Sequence, residues 1–72
     1  MARLDTDQLH ALAHPIRIRI VALFTEDTDR ALTPKAVVRA LAVEAADLGR
    51  LSISQVAYHL ARLRDARLLP AG

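Results

Sequence analysis

The feature that most constrains the fold of this chain is a helix-start pattern that appears three times. In each copy an apolar residue precedes a capping residue, and a second apolar residue follows five positions after the first. The three copies are Leu4, Asp5 and Leu9; Leu32, Thr33 and Val37; and Leu51, Ser52 and Val56. Two apolar residues placed around an N-cap are typical of a hydrophobic staple at the first turn of a helix. The pattern therefore predicts three helix starts.

Nearby residues support each of these starts. Gln8 and Gln55 follow the capping residues Asp5 and Ser52 by three positions, which is the spacing of a capping box. Pro34 occupies the first helical position of the remaining copy, where the missing N–H of proline removes no hydrogen bond. We expect the last helix to run from Ile53 to about Ala66 and the one before it to lose definition within residues 43–48.

A further helix is expected to begin at Pro15, because the residue before a proline disfavours helix and the first helix should end near Ala13. Residues 16–20 alternate isoleucine and arginine, a pattern that is also typical of a strand. We favour a helix, because Ile16, Ile20, Leu23 and Phe24 then share one face and no partner strand of comparable length exists. The polar segment Thr25 to Ala31 is predicted to be a loop.

Size and composition limit the chain to one small domain over residues 1–72. The 72 residues include no cysteine, which excludes disulfides, and 53 % of them are apolar, which is too hydrophobic for a disordered chain. We therefore predict an all-α bundle of four to five helices. No apolar run is long enough for a signal peptide or a membrane span, so we expect a cytoplasmic protein without a membrane partner.

The charges divide unevenly between the two halves of the chain. Residues 1–29 carry three basic and five acidic side chains, 3 − 5 = −2, whereas residues 30–72 carry seven and three, 7 − 3 = +4. Arginine dominates the basic half, and its planar guanidinium suits phosphate and guanine edges. This distribution favours a nucleic-acid partner, although a merely solvated surface has the same composition.

The last predicted helix has an unusual polar face. A helical wheel places Ile53, Val56, Leu60 and Leu63 inward, toward the other helices. The opposite face carries Ser54, Gln55, Tyr58 and Arg62, beside the small Ala57. Gln and Arg can bind adenine and guanine by two hydrogen bonds each, and Ser and Tyr can reach bases or phosphates. The alternative is that Tyr58 and Arg62 only cover a small core.

Two segments resemble the ArsR-type winged-helix transcriptional repressors. Residues 12–20, Leu-Ala-His-Pro-Ile-Arg-Ile-Arg-Ile, are similar to the family's opening "LAxPxRLxIL" motif. Residues 54–69, Ser-Gln-Val-Ala-Tyr-His-Leu-Ala-Arg-Leu-Arg-Asp-Ala-Arg-Leu-Leu, are similar to its recognition helix, "S-x-V-S-x-H-L-x-x-L-R-x-A-G-L-V". The resemblance implies a helix-turn-helix in which the third helix supports the fourth in the major groove of duplex DNA.

The sequence departs from this family in four places. Only Pro70, Ala71 and Gly72 follow the second motif, so the β-hairpin wing is missing, and the chain is either a fragment or a wingless form. Arg67 stands where the family has a glycine that adopts a left-handed turn. Residues 43–51 are longer than the family's turn, which predicts a longer third helix or an additional short one. Ala57 replaces a serine that often contacts DNA.

Metal binding and catalysis are not expected. His10 and His14 are four residues apart, but Pro15 ends their helix and no cysteine or obvious carboxylate completes a ligand set. We interpret His14 as part of the helix junction and His59 as a half-buried flank of the last helix. The two glycines cannot form a phosphate-binding loop, and no nucleophile is placed beside a base. We therefore expect no enzyme, no metal and no cofactor.

The sequence thus predicts a DNA-binding domain of a transcriptional regulator, with residues 53–66 in the major groove of double-stranded DNA. The predicted DNA contacts are Thr33, Lys35, Arg50, Ser52, Ser54, Gln55, Ala57, Tyr58 and Arg62. Regulators of this kind usually dimerise to read two half-sites, so a homodimer is a further expectation. The alternative is a wingless protein-interaction module without DNA reading, in which a partner covers Leu68 and Leu69.

Overall fold

The computed structural model describes residues 3–29 and 32–70, and within these ranges all regular structure is helical. The elements are α1 (Thr6–Ala11), α2 (Pro15–Glu26), α3 (Pro34–Glu44), a short 3-10 helix (Ala46–Leu48) and α4 (Ile53–Asp65). The described residues contain no strand. The predicted all-α fold is therefore confirmed, and so is the helical interpretation of the Ile-Arg alternation.

All three predicted N-caps form. The Asp5 carboxylate accepts a hydrogen bond from the Gln8 N–H at 2.8 Å, and the Ser52 hydroxyl accepts one from the Gln55 N–H at 3.0 Å. In both cases the glutamine side chain accepts in return from the cap residue's N–H, which completes a capping box. Thr33 accepts from the N–H of Ala36 at 3.3 Å, directly before Pro34. The sequence therefore located the beginnings of α1, α3 and α4 correctly.

One of the predicted boundaries is wrong. The predicted loop from Thr25 begins later, because α2 continues to Glu26 and the Thr25 hydroxyl donates to the Ala22 carbonyl at 3.0 Å. The hydroxyl of Thr25 therefore finds its acceptor within the helix and does not need a turn to supply one. Helix α1 ends at Ala11, and the hydrogen-bonded turn that follows it includes Leu12 and Ala13, so the predicted end near Ala13 is confirmed. The loop residues Arg30 and Ala31, and the final Ala71 and Gly72, lie outside the described residues.

The core lies between α4 and the other three helices, since α4 packs against α1, α2 and α3. Its fully buried side chains are Ile20, Val37, Leu41, Val56, Leu60 and Leu63. Burying one such side chain contributes about 1.5–3 kcal/mol relative to leaving it exposed. The inward positions predicted for Val56, Leu60 and Leu63 of α4 are thus confirmed. By contrast, Leu4 and Leu9, the first predicted staple, remain 45 % and 55 % exposed.

The residues after α4 form a tight helix-ending turn. Arg67 adopts φ 62°, its N–H donates to the Arg64 carbonyl at 3.0 Å, and the Leu68 N–H donates to the Leu63 carbonyl at 2.9 Å. This pair of hydrogen bonds around a left-handed residue is a Schellman motif. The left-handed turn is therefore present even though arginine replaces glycine. It directs Leu69 back into the core, where only 4 % of the residue is exposed.

Candidate nucleic-acid interface

The solvent-facing side of α4 matches the predicted polar face in most positions. Ser54, Gln55, Tyr58 and Arg62 are exposed, Tyr58 to 59 %, while Ala57 is half-buried at the edge of the face. The basic residues of the last turn are Arg62 and Arg64. A helix with one fully buried side and one exposed side of short or planar polar groups can lie in a groove without losing its own packing.

Ile53 corrects the predicted inward face. The sequence placed it with Val56, Leu60 and Leu63, but 52 % of Ile53 is exposed whereas Val56, Leu60 and Leu63 are fully buried. Ile53 is the first residue of α4, and the helix surface it occupies lies next to Ala57, one turn further on. An isoleucine is therefore presented to solvent at the beginning of the candidate reading helix.

Gln55 is exposed but its side chain is already engaged. Its Oε1 accepts a hydrogen bond from the Ser52 N–H at 3.0 Å, so one lone pair of this oxygen is already used. A bidentate contact with adenine needs both the carbonyl and the amide group of the glutamine. In the capping box the Gln55 carbonyl is directed at the Ser52 N–H, so the predicted adenine contact requires this oxygen to accept a second hydrogen bond or the capping box to open.

The residues predicted to hold phosphates lie at or near the starts of α3 and α4. Thr33, Lys35, Arg50 and Ser52 are all exposed. The Thr33 and Ser52 hydroxyl oxygens accept backbone N–H groups of their helices, which leaves each hydroxyl hydrogen free to donate to an anion. Unpaired N–H groups at a helix start also attract phosphate oxygens. These residues have the chemistry to position a nucleic-acid backbone.

A buried arginine supports α4 from the side of α2. Arg17 is only 5 % exposed; its Nε donates to Nδ1 of His59 at 2.9 Å, and its Nη1 lies 3.4 Å from the Ala11 carbonyl oxygen. The guanidinium carbon lies 5.8 Å from the centre of the Tyr58 ring, within the range of a cation–π interaction. Arg17 thus joins α1, α2 and α4, and fixes the ring that α4 exposes.

The same contacts set the protonation of His59. Burial lowers the pKa of His59 below its usual 6.5, and the nearby positive charge of Arg17 and the His14 ring lower it further. Because Nδ1 accepts the Arg17 N–H, the neutral ring carries its hydrogen on Nε2. The rings of His14 and Tyr58 lie 5.9 Å and 5.5 Å from that of His59. The half-buried flank predicted for His59 is confirmed.

Nothing in the sequence pattern distinguished Arg17 as a site residue. Its place in the Ile-Arg alternation resembled that of Arg19, which is partly exposed and forms a 2.9 Å salt bridge with Asp47 of the 3-10 helix. The available signal was spacing, because Arg17 precedes Ile20 by three residues and Phe24 by seven, and such residues share a helical face. No sequence rule paired it with His59, which lies 42 residues away.

A second arginine holds the other flank of α4. The Nη2 of Arg64 donates to the Leu32 carbonyl at 3.2 Å, just before the cap of α3. Its Nε is buried and has no hydrogen-bond partner among the described residues. The α3–α4 unit is therefore joined by this polar contact as well as by its core.

An open cleft lies between α1 and α4, with Arg17 and Tyr58 in its wall. The remaining charged or titratable lining residues are Asp7, His10, His14, Arg62 and Asp65. Carboxylates and guanidinium groups both line this cleft. Within residues 3–29 and 32–70, no three histidine, aspartate or glutamate side chains are grouped closely enough to hold a metal ion. In the same part of the chain no helix is long and apolar enough to cross a membrane.

Comparison with known proteins gives one family. A family model described as a helix-turn-helix domain matches residues 12–69, from the end of α1 to the buried Leu69. Neither the curated proteins nor the solved structures contain a match to this chain. The matched range includes α2, α3 and α4, and with them every residue of the candidate interface.

Proposed function

The chain belongs to the helix-turn-helix domain family, and on that premise we propose that it is the DNA-binding domain of a transcriptional regulator. In this proposal α4 enters the major groove of duplex DNA, supported by α3. The observation that carries it is the exposed face of α4, on which Ser54, Tyr58 and Arg62 stand above a fully buried opposite side. The domain carries out no catalytic step in this role.

Two kinds of contact are proposed. Ser54, Tyr58 and Arg62 face base edges, whereas Thr33, Lys35, Arg50 and Ser52 face phosphates at the starts of the two helices. The net charge of +4 over residues 30–72 favours the approach of a polyanion to this half of the chain. The resemblance of residues 12–20 and 54–69 to ArsR-type regulators supports a repressor that binds as a homodimer.

The test is binding of a labelled duplex at two salt concentrations. Affinity should fall steeply between about 50 and 200 mM salt, because each neutralised phosphate releases counterions. Lys35→Ala should weaken binding to all sequences alike and reduce the salt slope by about one phosphate contact, while Arg62→Ala should reduce discrimination between sequences. Arg19→Ala is the matched control, since the charge of Arg19 is already paired with Asp47. Binding that ignores salt and both interface variants contradicts the proposal.

A protein-interaction role is the second candidate. The exposed apolar side chains Leu9, Ile18 and Val43 favour it, at 55 %, 52 % and 81 % exposure. A partner is not needed to cover Leu68 and Leu69, as the sequence had suggested, because Leu69 is buried and Leu68 packs against the core. Light scattering over a range of concentrations distinguishes the two roles. A strictly monomeric chain that binds DNA tightly and sequence-specifically contradicts the interaction role.

A further inference from the structure

The first two turns of α4 present a reading surface that is mostly apolar. Its members are Ile53, Ser54, Ala57 and Tyr58, which are exposed or, for Ala57, half-buried. Ile53 and Ala57 are four residues apart and therefore lie on the same side of the helix. No charged side chain occurs between Ile53 and Tyr58, and the only glutamine there, Gln55, is held by the capping box.

This surface has little capacity for hydrogen-bonded base recognition. Ser54 and Tyr58 each supply one hydroxyl, and neither can make the two parallel hydrogen bonds that identify adenine or guanine. Ile53 instead offers an aliphatic side chain that is 52 % exposed at the very start of the helix. In the major groove the matching apolar group is the 5-methyl of thymine, which no other standard base carries.

The charges around this surface suit a nucleic acid. Arg50, three residues before Ile53, and Arg62, further along α4, are both exposed. An apolar helix start with a cationic side chain just before it fits a groove that has apolar methyl groups on its floor and phosphates along its rims.

We propose that Ile53, together with Ala57, reads the 5-methyl groups of thymine in the major groove. The inference rests on the proposed DNA binding by α4. It adds the kind of DNA site that α4 recognises, a duplex with thymines at the base pairs that face the first turn of the helix. Ile53 is the specificity-determining residue, and Ala57 leaves room for the methyl group because its own side chain is small.

The experiment compares duplexes that differ only in this methyl group. Each duplex has about 24 base pairs, roughly two helical turns. In the first pair, one duplex has alternating A·T base pairs and the other has alternating A·U base pairs. In the second pair, both duplexes have alternating G·C base pairs, one with 5-methylcytosine and the other with cytosine. Each contacted methyl should raise affinity about fourfold, so two contacts give about a tenfold or larger preference for the methylated duplex of each pair. Fluorescence anisotropy at one fixed salt concentration measures the ratio.

Two variants assign the effect to a residue. Ile53→Ala should reduce the ratio of the affinities for the methylated and unmethylated duplexes to less than about twofold, and this ratio is compared within each variant. Ile18→Ala is the matched control, because Ile18 is an isoleucine with the same 52 % exposure, located on α2, and it should keep the full preference. Circular dichroism establishes that both variants retain the helical fold of the parent chain.

Three outcomes overturn the inference, and they can be told apart. Salt-dependent binding with equal affinity for methylated and unmethylated duplexes removes methyl reading but leaves the proposed function standing. No binding to any duplex at low salt removes both. A concentration-dependent oligomer that Ile53→Ala abolishes, without a change in DNA affinity, assigns the apolar surface to a protein contact instead.

Discussion

At the scale of single residues, the contact between Arg17 and His59 links the protonation of one side chain to the position of another. The Arg17 N–H donates to Nδ1 of His59 at 2.9 Å, so a second proton on that ring removes the acceptor and places a positive charge beside the guanidinium. The ring of Tyr58 lies beside both groups, 5.5 Å from the ring centre of His59 and 5.8 Å from the guanidinium carbon of Arg17.

The stability of the domain should therefore fall in mild acid. Because the pKa of His59 in the folded chain lies below 6.5, the unfolded chain takes up the proton first as pH decreases. The contribution of His59 is fully present above pH 6.5 and is lost as pH falls from there toward the folded-state pKa. Urea titrations at a series of pH values above about 5, where ordinary carboxylates are still mostly ionised, measure this slope.

Two histidine substitutions test whether His59 causes this change of stability with pH. His59→Gln keeps a side-chain oxygen that can accept the Arg17 N–H and removes the titrating group, so its stability should change less over the same pH range. His10→Gln removes an exposed histidine and should retain the parent slope. An unchanged slope in His59→Gln would show that another group is responsible.

At the scale of elements, the end of α4 contains an avoidable conformational cost. Arg67 holds a left-handed backbone, φ 62°, which costs a residue with a side chain about 1–2 kcal/mol and costs glycine almost nothing. The hydrogen bonds of the turn are made by backbone groups only, so the Arg67 side chain is not needed for them.

Arg67→Gly should therefore stabilise the domain. After allowance for the greater flexibility of glycine in the unfolded chain, we expect a gain of about 0.5–1 kcal/mol, or several degrees in Tm for a domain of this size. Ala61→Gly, at an exposed position in the middle of α4, is the opposite control and should destabilise by about 0.5–1 kcal/mol. Thermal unfolding followed by circular dichroism compares them. A lower Tm for Arg67→Gly would mean that the arginine side chain has a role of its own.

The beginnings of the helices were predictable from sequence, and their surroundings were less so. Asp5, Thr33 and Ser52 cap their helices by contacts within three residues, and such local chemistry is visible in a linear sequence. The exposure of Ile53 and the burial of Arg17 depend on which neighbouring helix covers each flank. Periodicity alone does not contain that information, because it gives a direction around a helix and not the shape of the surface opposite.

The candidate site was predictable to a similar extent. Ser54, Tyr58 and Arg62 face solvent as the wheel placed them, since the centre of the polar face is far from the core. Gln55 is also exposed, but one residue type can serve either as a cap or as a base-reading group, and only the hydrogen bond to Ser52 distinguishes the two uses. The contact of the buried Arg17 with Tyr58 was not predictable from the sequence, because it depends on how α2 packs against α4.

At the scale of the whole molecule, the segment after α4 completes the core. Leu69 is 4 % exposed, while its neighbour Leu68 is half-buried. A chain of this length buries a smaller share of its surface than a larger domain does, so each core side chain is a large fraction of the total stability.

Leu69→Ala should consequently destabilise the whole domain by about 2–4 kcal/mol, through lost burial and the cavity left behind. Leu68→Ala, with the same change in side-chain volume at a half-buried position, should cost about half as much or less. Chemical denaturation measured by circular dichroism gives both values. Equal losses for the two variants would contradict the described packing of this segment.

The two arginine contacts on α4 also have a mechanical consequence. His59 is held by Arg17 from one flank, and Arg64 holds the Leu32 carbonyl on the other, so any roll of α4 about its own axis must break one of them. The two contacts therefore hold the exposed face of α4 in one orientation in the free protein. In the proposed complex a face held in this way favours duplexes that bend and twist easily to meet it, so the DNA sequence can matter at base pairs that the protein never touches.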